Sequence, residues 1–516
     1  MNAQIRSSLE TDGVLLATID MPGRSMNVFS VELMDALDEL MDRVEADPAV
    51  RSVVITSGKP AFLAGADLEM VRNFTVSARS LGTDDLFDLC GRLGRQFVRL
   101  ESSSKPWVAA VNGIAMGGGL ELAMACRARL VTDAPRTLIG LPEVRWGLLP
   151  GAGGTQRLPR LVGFEAGLSL LLSGRSMNPQ EAVQLGVFKA AVPADRLLSE
   201  ARIIARSLQG EACDPAAKFA HLTQTDVPTH RRETVRALAR QHGVSEADFR
   251  DYPAYETIID CVLLGARHPL GEASAIEMRQ FLRLMIDPVA GNMVRTLFLN
   301  RQRADRELAA PPELRIQGIA VGPLTPPMTI WQEALVKSRL PLHPDASLPL
   351  DTLVLTDTRG TTQHVRVGTI DSDPPRGNGS AAQAVLSAPG PYGSVLEIVA
   401  ATEQAAQALA SLAKRLDGAL PYRSGDGVSL LRRLAEASRD SLDAQALVAA
   451  RLLADGAASR AETLDVAACA AGITPAWTGG PVAHLWAHRE RLEPRLDTVV
   501  RAAWPRLEPL LREACS

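Results

Sequence analysis

Three consecutive glycines between a strand-like segment and an apolar helix constrain this chain more than any other feature. The glycines, residues 117–119, follow a buried strand predicted at 107–111 and open the apolar segment that carries Glu121. Glycines at such a junction let a ligand approach the backbone closely, and the free N–H groups of the first helical turn then face it. Because the positive end of the helix dipole lies behind these groups, the arrangement suits a developing oxyanion. Taken alone, the motif is also compatible with a plain tight turn.

A second glycine-containing loop lies upstream, at residues 62–68, and also connects a strand-like segment to a helix. We expect Asp67 in this loop to cap the helix that follows. Two such loops after neighbouring strands supply one backbone N–H each, which is how a two-donor oxyanion hole is built.

The third element is a carboxylate in an apolar loop. Glu143 follows Pro142 and precedes the glycine-rich segment 147–154. A lone glutamate in a loop is usually solvated surface, but Glu121 begins an apolar helix, where a carboxylate gains from the helix N-terminus. Together the two glutamates offer a carboxylate pair for acid–base chemistry, and a protein environment can push two such pKa values apart.

Composition excludes several classes of function. The net charge of the 516 residues is -4, so no basic field attracts nucleic acid or an anionic membrane. The six cysteines are scattered, which signals neither a zinc site nor a disulfide framework and fits a reducing cytoplasm. No signal peptide or membrane span is recognisable. We therefore expect a cytoplasmic protein with no metal, no nucleic-acid partner and no membrane insertion. The first 220 residues contain no histidine, which argues against Ser–His and Cys–His mechanisms there.

The order of predicted elements indicates an α/β fold, because strand-like and helix-like segments alternate. The predicted strands are 13–20, 51–56 and 107–111, and the predicted helices are 29–44 and 86–100. Further along, two strand candidates lie at 352–355 and 365–370, and the chain after residue 402 is typical of helices.

The three glycine and glutamate segments, in this order, resemble the crotonase superfamily, the enoyl-CoA hydratases and isomerases. The resemblance runs from about residue 14 to 201. The segment 19–27 and the 22 positions between Glu121 and Glu143 are closer to the α-subunits of multifunctional fatty-acid-oxidation enzymes. The resemblance implies a ββα-spiral crotonase domain, an acyl-CoA substrate and no cofactor.

The resemblance also implies residue roles. Glu121 matches the carboxylate that positions and activates a water molecule, and Glu143 the one that shares this water and protonates the α-carbon. The backbone N–H groups of Ala66 and Gly118 match the oxyanion hole that holds the thioester oxygen. Because the thioester would lie against Gly118, we expect Gly118→Val to fold but to be inactive. The neighbouring residues expected to bind substrate are Ala64, Gly65, Asp67 and Gly117.

The second half resembles the same α-subunits only weakly. In that family a helical linker is followed by a 3-hydroxyacyl-CoA dehydrogenase, which opens with a strand and a GxGxxG loop. Here that opening is missing, and the near match at 377–382 follows prolines and is typical of a plain loop. The stretch 387–391, where the family has its catalytic histidine, has none. We therefore expect a truncated, degenerate Rossmann-like remnant that neither binds NAD nor oxidises 3-hydroxyacyl-CoA.

The sequence thus predicts four segments and one leading function. The segments are a crotonase domain (1–205), a helical linker (206–310), a truncated Rossmann-like α/β remnant (311–415) and an α-helical C-terminal domain (416–516). The leading hypothesis is a 2-enoyl-CoA hydratase of acyl-CoA degradation. A Δ3-Δ2-enoyl-CoA isomerase, a specialised crotonase lyase and a non-catalytic acyl-CoA-binding or scaffold subunit remain alternatives, although retention of both glutamates favours the hydratase. The partner would be a second copy or a thiolase-like subunit.

Overall fold

A computed structural model describes nine ranges of the chain, which form two compact units, Met1–Gly291 and Asn292–Ser516. The described ranges are 4–78, 80–211, 232–241, 243–307, 314–372, 382–390, 392–416, 418–424 and 429–515. Most of the loop at 377–382 therefore lies outside the described residues. Among the described helices, none combines the length and apolar composition needed to cross a bilayer.

The first unit is built on two sheets. Its strands are β1 (Ile5–Leu9), β2 (Val14–Ile19), β3 (Ser52–Ser57), β4 (Trp107–Val111), β5 (Ala115–Met116), β6 (Ala128–Thr132), β7 (Ile139–Gly140), β8 (Ser176–Met177) and β9 (Ala190–Val192). The larger sheet has the order β1-β2-β3-β4-β6-β9, and all its pairs are parallel except β1 with β2. The smaller sheet, β5-β7-β8, continues from the glycine-rich junction after β4. Both glutamate-bearing segments therefore begin next to this small sheet.

The helices of the first unit cover its sheets with apolar faces. They are α1 (Val31–Ala46), α2 (Leu68–Ser77), α3 (Thr83–Glu101), α4 (Gly118–Ala125), α5 (Gly154–Val162), α6 (Phe164–Ser173), α7 (Pro179–Gln184) and α8 (Leu197–Ser207). Helix α1 shows why they form. Leu33, Leu37 and Leu40 recur at helical spacing and are buried, and the Ser30 hydroxyl caps the helix by accepting from the Leu33 N–H.

The predicted linker packs into the first unit. Its helices there are α9 (Arg232–Gln241), α10 (Glu246–Asp251), α11 (Pro253–Gly265) and α12 (Leu270–Ile286). Helix α12 packs against α3, α5 and α11, burying Met278 and Leu282 in a cluster with Leu86. The structure therefore groups residues up to Gly291 with the predicted crotonase domain, because the apolar face of α12 has its partners there.

The second unit contains one mixed sheet of seven strands. They are β10 (Ile316–Val321), β11 (Leu342–Pro344), β12 (Thr352–Asp357), β13 (Thr362–Thr369), β14 (Ala382–Leu386), β15 (Val395–Ala400) and β16 (Leu420–Arg423). The order is β11-β10-β12-β13-β14-β15-β16, and three of the six pairs are antiparallel. A Rossmann domain is built on a mostly parallel sheet, and these strands form a mixed one. The expected Rossmann-like remnant is therefore not confirmed.

The helices of the second unit follow mainly after the sheet. The chain enters this unit through Pro288–Val294 (α13), a π-helical turn Arg295–Asn300 and Arg301–Glu307 (α14). The others are α15 (Thr329–Ser338), α16 (Glu403–Ala413), α17 (Leu430–Ser438), α18 (Leu442–Ala454), α19 (Ala461–Ala470), α20 (Pro481–Ala487), α21 (Arg489–Leu492) and α22 (Thr498–Cys515). One sequence expectation was wrong here, because strand β16 lies in the segment expected to be helical. Strand β10 was not predicted from the sequence.

Candidate active site

The two glycine-containing loops lie side by side. The Met116 N–H donates to the Leu63 carbonyl at 3.0 Å, which fastens the loop before α4 to the loop before α2. Gly65 and Gly117 both have positive φ, at 93° and 52°, a backbone conformation that favours glycine. A Cβ atom placed on Gly117 would lie 3.6 Å from the Gly65 Cα. The structure therefore brings together the two loops that the sequence analysis selected.

The two predicted oxyanion donors are both present in these loops. On either side of Ala66, Gly65 accepts from the Phe29 N–H and Asp67 donates to the Phe29 carbonyl, each at 2.8 Å, so the strand-like pairing does not use the Ala66 N–H. Gly118 is the first residue of α4 and has no intrahelical acceptor for its N–H. Within the described ranges, neither N–H donates a hydrogen bond, which leaves both for an external acceptor.

Asp67 caps helix α2, as predicted. Its carboxylate accepts from the N–H groups of Glu69 at 2.9 Å and Met70 at 3.4 Å. It also forms an ion pair with Arg24 at 2.8 Å. These contacts tie the Asp67 side chain to the start of α2.

Glu121 lies buried in the first turn of α4, only 2% exposed. Its Oε1 accepts two backbone hydrogen bonds, from Ala152 at 2.8 Å and Gly154 at 2.7 Å. Burial raises the pKa of Glu121 to about 7, although these two bonds and the nearby Arg157 charge oppose the rise. Glu121 is thus a carboxyl group that changes charge near neutral pH.

Glu143 begins a 3₁₀ turn, Glu143–Trp146, and its side chain reaches the Gly117 backbone. A Cβ atom on Gly117 would lie 2.5 Å from the Glu143 Oε1. The other oxygen, Oε2, is buried and has no hydrogen-bond partner among the described residues. Burial and then the charges of Glu121 and Glu277 raise the pKa of Glu143 well above its usual 4.5. Ionisation of Glu143 is therefore opposed both by its surroundings and by neighbouring carboxylates.

Tyr252, which sequence reasoning missed, holds the turn that carries Glu143. Its hydroxyl donates to the Val144 carbonyl and accepts from the Gly147 N–H at 2.7 Å. Tyr252 precedes α11 and is more than 100 positions from the turn along the chain. In the sequence, Tyr252 lies within the predicted helical linker (206–310), and nothing there connects it to the turn.

Glu277 is the second functional candidate that sequence reasoning missed. It lies on α12, is 1% exposed, and accepts from the Gly153 N–H at 2.5 Å and from both the N–H, at 2.9 Å, and the hydroxyl of Thr155. Burial and the Glu121 charge raise its pKa to about 8. A signal was present in the sequence, because Glu277 shares the buried face of α12 with Ala273, four positions earlier.

Gly118 does not face the site in the way expected. A Cβ atom on Gly118 would lie 2.9 Å from the Phe29 ring, in the core, whereas one on Gly117 would meet Glu143. The expectation that Gly118→Val folds and blocks the thioester is therefore corrected: its side chain would disturb packing first. The glycine whose missing side chain opens the site is Gly117.

Comparisons with known proteins found similar sequences and structures. Residues 10–250 match the protein family described as Enoyl-CoA hydratase/isomerase. Two similar curated proteins are named Fatty acid oxidation complex subunit alpha. The one from Shewanella loihica is 35% identical over 300 residues, and the one from Idiomarina loihiensis is 37% identical over 303. Each alignment covers 58% of this chain and 41% of the relative, so the chain spans less than half of their length. Among solved structures, an enoyl-CoA hydratase from Bacillus anthracis is 28% identical, with a TM-score of 0.36, covering 46% of this chain and 89% of that one.

Proposed function

Since residues 10–250 match the family described as Enoyl-CoA hydratase/isomerase, we propose that this protein adds water to the C2–C3 double bond of a 2-enoyl-CoA thioester. One observation carries the proposal. Two buried carboxyl groups, Glu121 and Glu143, lie next to two glycine-containing loops whose backbone N–H groups at Ala66 and Gly118 are available to a ligand. The names of the similar proteins support fatty acid oxidation as the setting.

The two N–H groups hold the thioester oxygen. Addition of the water oxygen to C3 pushes the electron pair of the C2–C3 bond through C1 onto that oxygen, which gains enolate charge. Donors aimed at this developing charge stabilise the transition state, and one such donor lowers the barrier by about 3 kcal/mol. The N-terminus of α4 adds a favourable dipole behind Gly118.

The environments of the two glutamates suggest how the proton transfers are divided. Glu121, whose Oε1 accepts two backbone hydrogen bonds that favour its charged form, takes the proton of the attacking water, and these bonds fix the direction of the carboxylate. Glu143, whose ionisation is opposed by burial and by the Glu121 charge, delivers a proton to C2. The product carries the hydroxyl at C3 and the new hydrogen at C2, and a proton passed from Glu121 to Glu143 restores the site.

An absorbance assay with crotonyl-CoA and longer 2-enoyl-CoAs tests this function. We expect Glu121→Gln and Glu143→Gln to bind acyl-CoA but to lower hydration by about 10²-fold or more, the scale for a positioned acid or base. Glu272→Gln, an exposed glutamate on α12, serves as the matched control. Near-normal turnover by either site variant would refute its assigned role. Isomerisation of a 3-enoyl-CoA without any hydration would replace the hydratase by the isomerase.

We also propose that the second unit does not bind NAD and does not oxidise 3-hydroxyacyl-CoA. A dinucleotide site needs free backbone N–H groups at a strand–helix junction to bind the pyrophosphate. The junction between β10 and α15 contains three prolines, which have no N–H. A carboxylate already lies there, since Asp351 accepts from the Thr325 N–H at 2.7 Å and from its hydroxyl. Calorimetric titration with NAD and an NADH absorbance assay test this. Micromolar binding, or NADH that scales with protein, would refute it.

A further inference from the structure

We propose that Glu277 is a positioning residue for the hydration reaction, holding the backbone of residues 152–155 together with Glu121. The inference rests on the proposed function and assigns a role to a side chain on α12, a helix that the reaction itself does not use. Glu277 need not touch the substrate, because it acts through the loop that fixes the direction of the Glu121 carboxylate.

The geometry consists of alternating hydrogen bonds along one short loop. The N–H groups of Ala152 and Gly154 donate to Glu121. The N–H groups of Gly153 and Thr155, and the Thr155 hydroxyl, donate to Glu277. Successive N–H groups therefore donate alternately to the two carboxylates. A shift of the loop toward either glutamate would break bonds to the other.

A third side chain fixes the same loop. Arg157 donates from Nη1 to the Ala152 carbonyl at 2.8 Å and forms an ion pair with Glu101 at 3.1 Å, with both side chains buried. Gly153 has a φ of 99°, and a Cβ atom there would lie 1.6 Å from the Arg157 Nη1. The loop thus has one well-defined path, and Glu277 supplies one of its three anchors.

The charge of Glu277 acts on Glu143 as well as on the loop. Burial and the Glu121 charge raise the pKa of Glu277. When ionised, Glu277 also raises the pKa of Glu143, which helps that residue to keep the proton it delivers. An apolar side chain at position 277 could pack on the buried face of α12, but it would neither accept hydrogen bonds from the loop nor raise the pKa of Glu143.

The test compares Glu277→Gln with the Glu272→Gln control on the same helix. The amide has nearly the shape of the carboxylate, but it cannot accept from both Gly153 and Thr155 and carries no charge. We expect kcat to fall on the order of 10- to 100-fold, the scale for a displaced catalytic group, with KM nearly unchanged. The basic limb of the kcat–pH profile should move to lower pH, because Glu143 loses its proton more easily without the Glu277 charge. The control should match the wild type.

A merely structural role would lower the active fraction without moving that limb. A folded Glu277→Gln protein whose kcat and basic limb both match those of the Glu272→Gln control therefore overturns the proposal. If this variant does not fold, Thr155→Val decides: it removes one donor to Glu277 and keeps the backbone N–H. A smaller kcat loss with a displaced limb is expected for it, and an unchanged profile overturns the proposal.

Amide hydrogen exchange separates the two proposals. Faster exchange at residues 152–155 in Glu277→Gln than in Glu272→Gln supports the anchoring role and does not depend on activity. If the wild-type protein hydrates no enoyl-CoA, the proposed function fails, while the exchange data still test the anchor. If the wild-type protein hydrates enoyl-CoA and exchange at 152–155 is unchanged in Glu277→Gln, the positioning role of Glu277 is refuted while the proposed function stands.

Discussion

Both units bury carboxylates against helix N-termini, but they use them differently. In the second unit Glu397 accepts from the Ser429 hydroxyl at 2.5 Å and the Leu430 N–H at 2.6 Å, one bond per oxygen. Asp465 likewise accepts from Val482 at 2.7 Å and Ala483 at 3.1 Å. In the first unit, Glu143 keeps a buried Oε2 with no partner among the described residues.

The difference shows that burial and a raised pKa do not by themselves identify a catalytic carboxylate. Burial raises the pKa of Glu397 to about 7 and that of Asp465 to about 8, values similar to those of Glu121 and Glu277. What separates the two regions is whether a carboxylate oxygen is left over for a ligand once the protein's own donors are counted. Glu397 and Asp465 have both oxygens engaged and stabilise the fold.

The first prediction concerns Gly117, where we expect the largest loss of activity. In Gly117→Ala the new Cβ would lie 2.5 Å from the Glu143 Oε1, so the carboxyl group must leave its place. We expect hydration to fall by about 10²-fold or more while circular dichroism stays that of the wild type.

Gly210→Ala is the matched control for Gly117→Ala. Gly210 also has a positive φ, 80°, but a Cβ there meets nothing within 4 Å, so it carries the backbone strain without the collision. Equal losses of activity in both variants would show that strain, and not the contact with Glu143, is responsible.

The second prediction concerns stability in the second unit. Asp465→Ala leaves the N–H groups of Val482 and Ala483 without their acceptors in a buried place. We expect the free energy of unfolding to fall by about 2–4 kcal/mol, as for lost caps and unsatisfied buried donors. Urea unfolding measures this, with the exposed Asp440→Asn as control. Hydration per folded molecule should be unchanged, and a loss there would contradict the purely structural role.

The third prediction concerns the pH dependence of that stability difference. The pKa of Asp465 is raised from 3.8 to about 8 on folding, so the folded state binds the proton more tightly than the unfolded state. Its contribution is therefore complete below pH 3.8 and is lost as the pH rises to about 8, by at most ~1.4 kcal/mol per pH unit. The stability difference between wild type and Asp465→Ala should shrink over this range. A difference that grows with pH would contradict the assigned environment.

Much of the fold in the first unit was predictable because its signals are local. The strand predicted at 107–111 has those bounds, and the helix predicted at 29–44 is observed as Val31–Ala46. Strand β10 was missed because Ile316–Val321 is short, contains a glycine and precedes a cluster of prolines, which dominates the local pattern. Strand β16 was missed because four residues inside an alanine-rich region give no readable period.

The candidate site was predictable only in part, for a related reason. The glycine loops and the two glutamates can each be recognised from a few consecutive residues, and the structure brings these segments together. Tyr252 and Glu277 act on turns more than 100 positions away, so no local pattern connects them to the site. Sequence motifs thus identified the groups proposed to react, but not the groups that hold them.

The packing of α12 against the first unit has a consequence for transferring the proposed active site to another protein. A fragment cut at the end of α8 would carry every recognisable motif of the site, yet it would lack both Tyr252 and Glu277. Supporting contacts of this kind decide whether a transplanted site works. The fragment to transfer is therefore Met1–Gly291. A shorter fragment chosen by its motifs alone would contain the two glutamates but not the side chains that hold their loops in place.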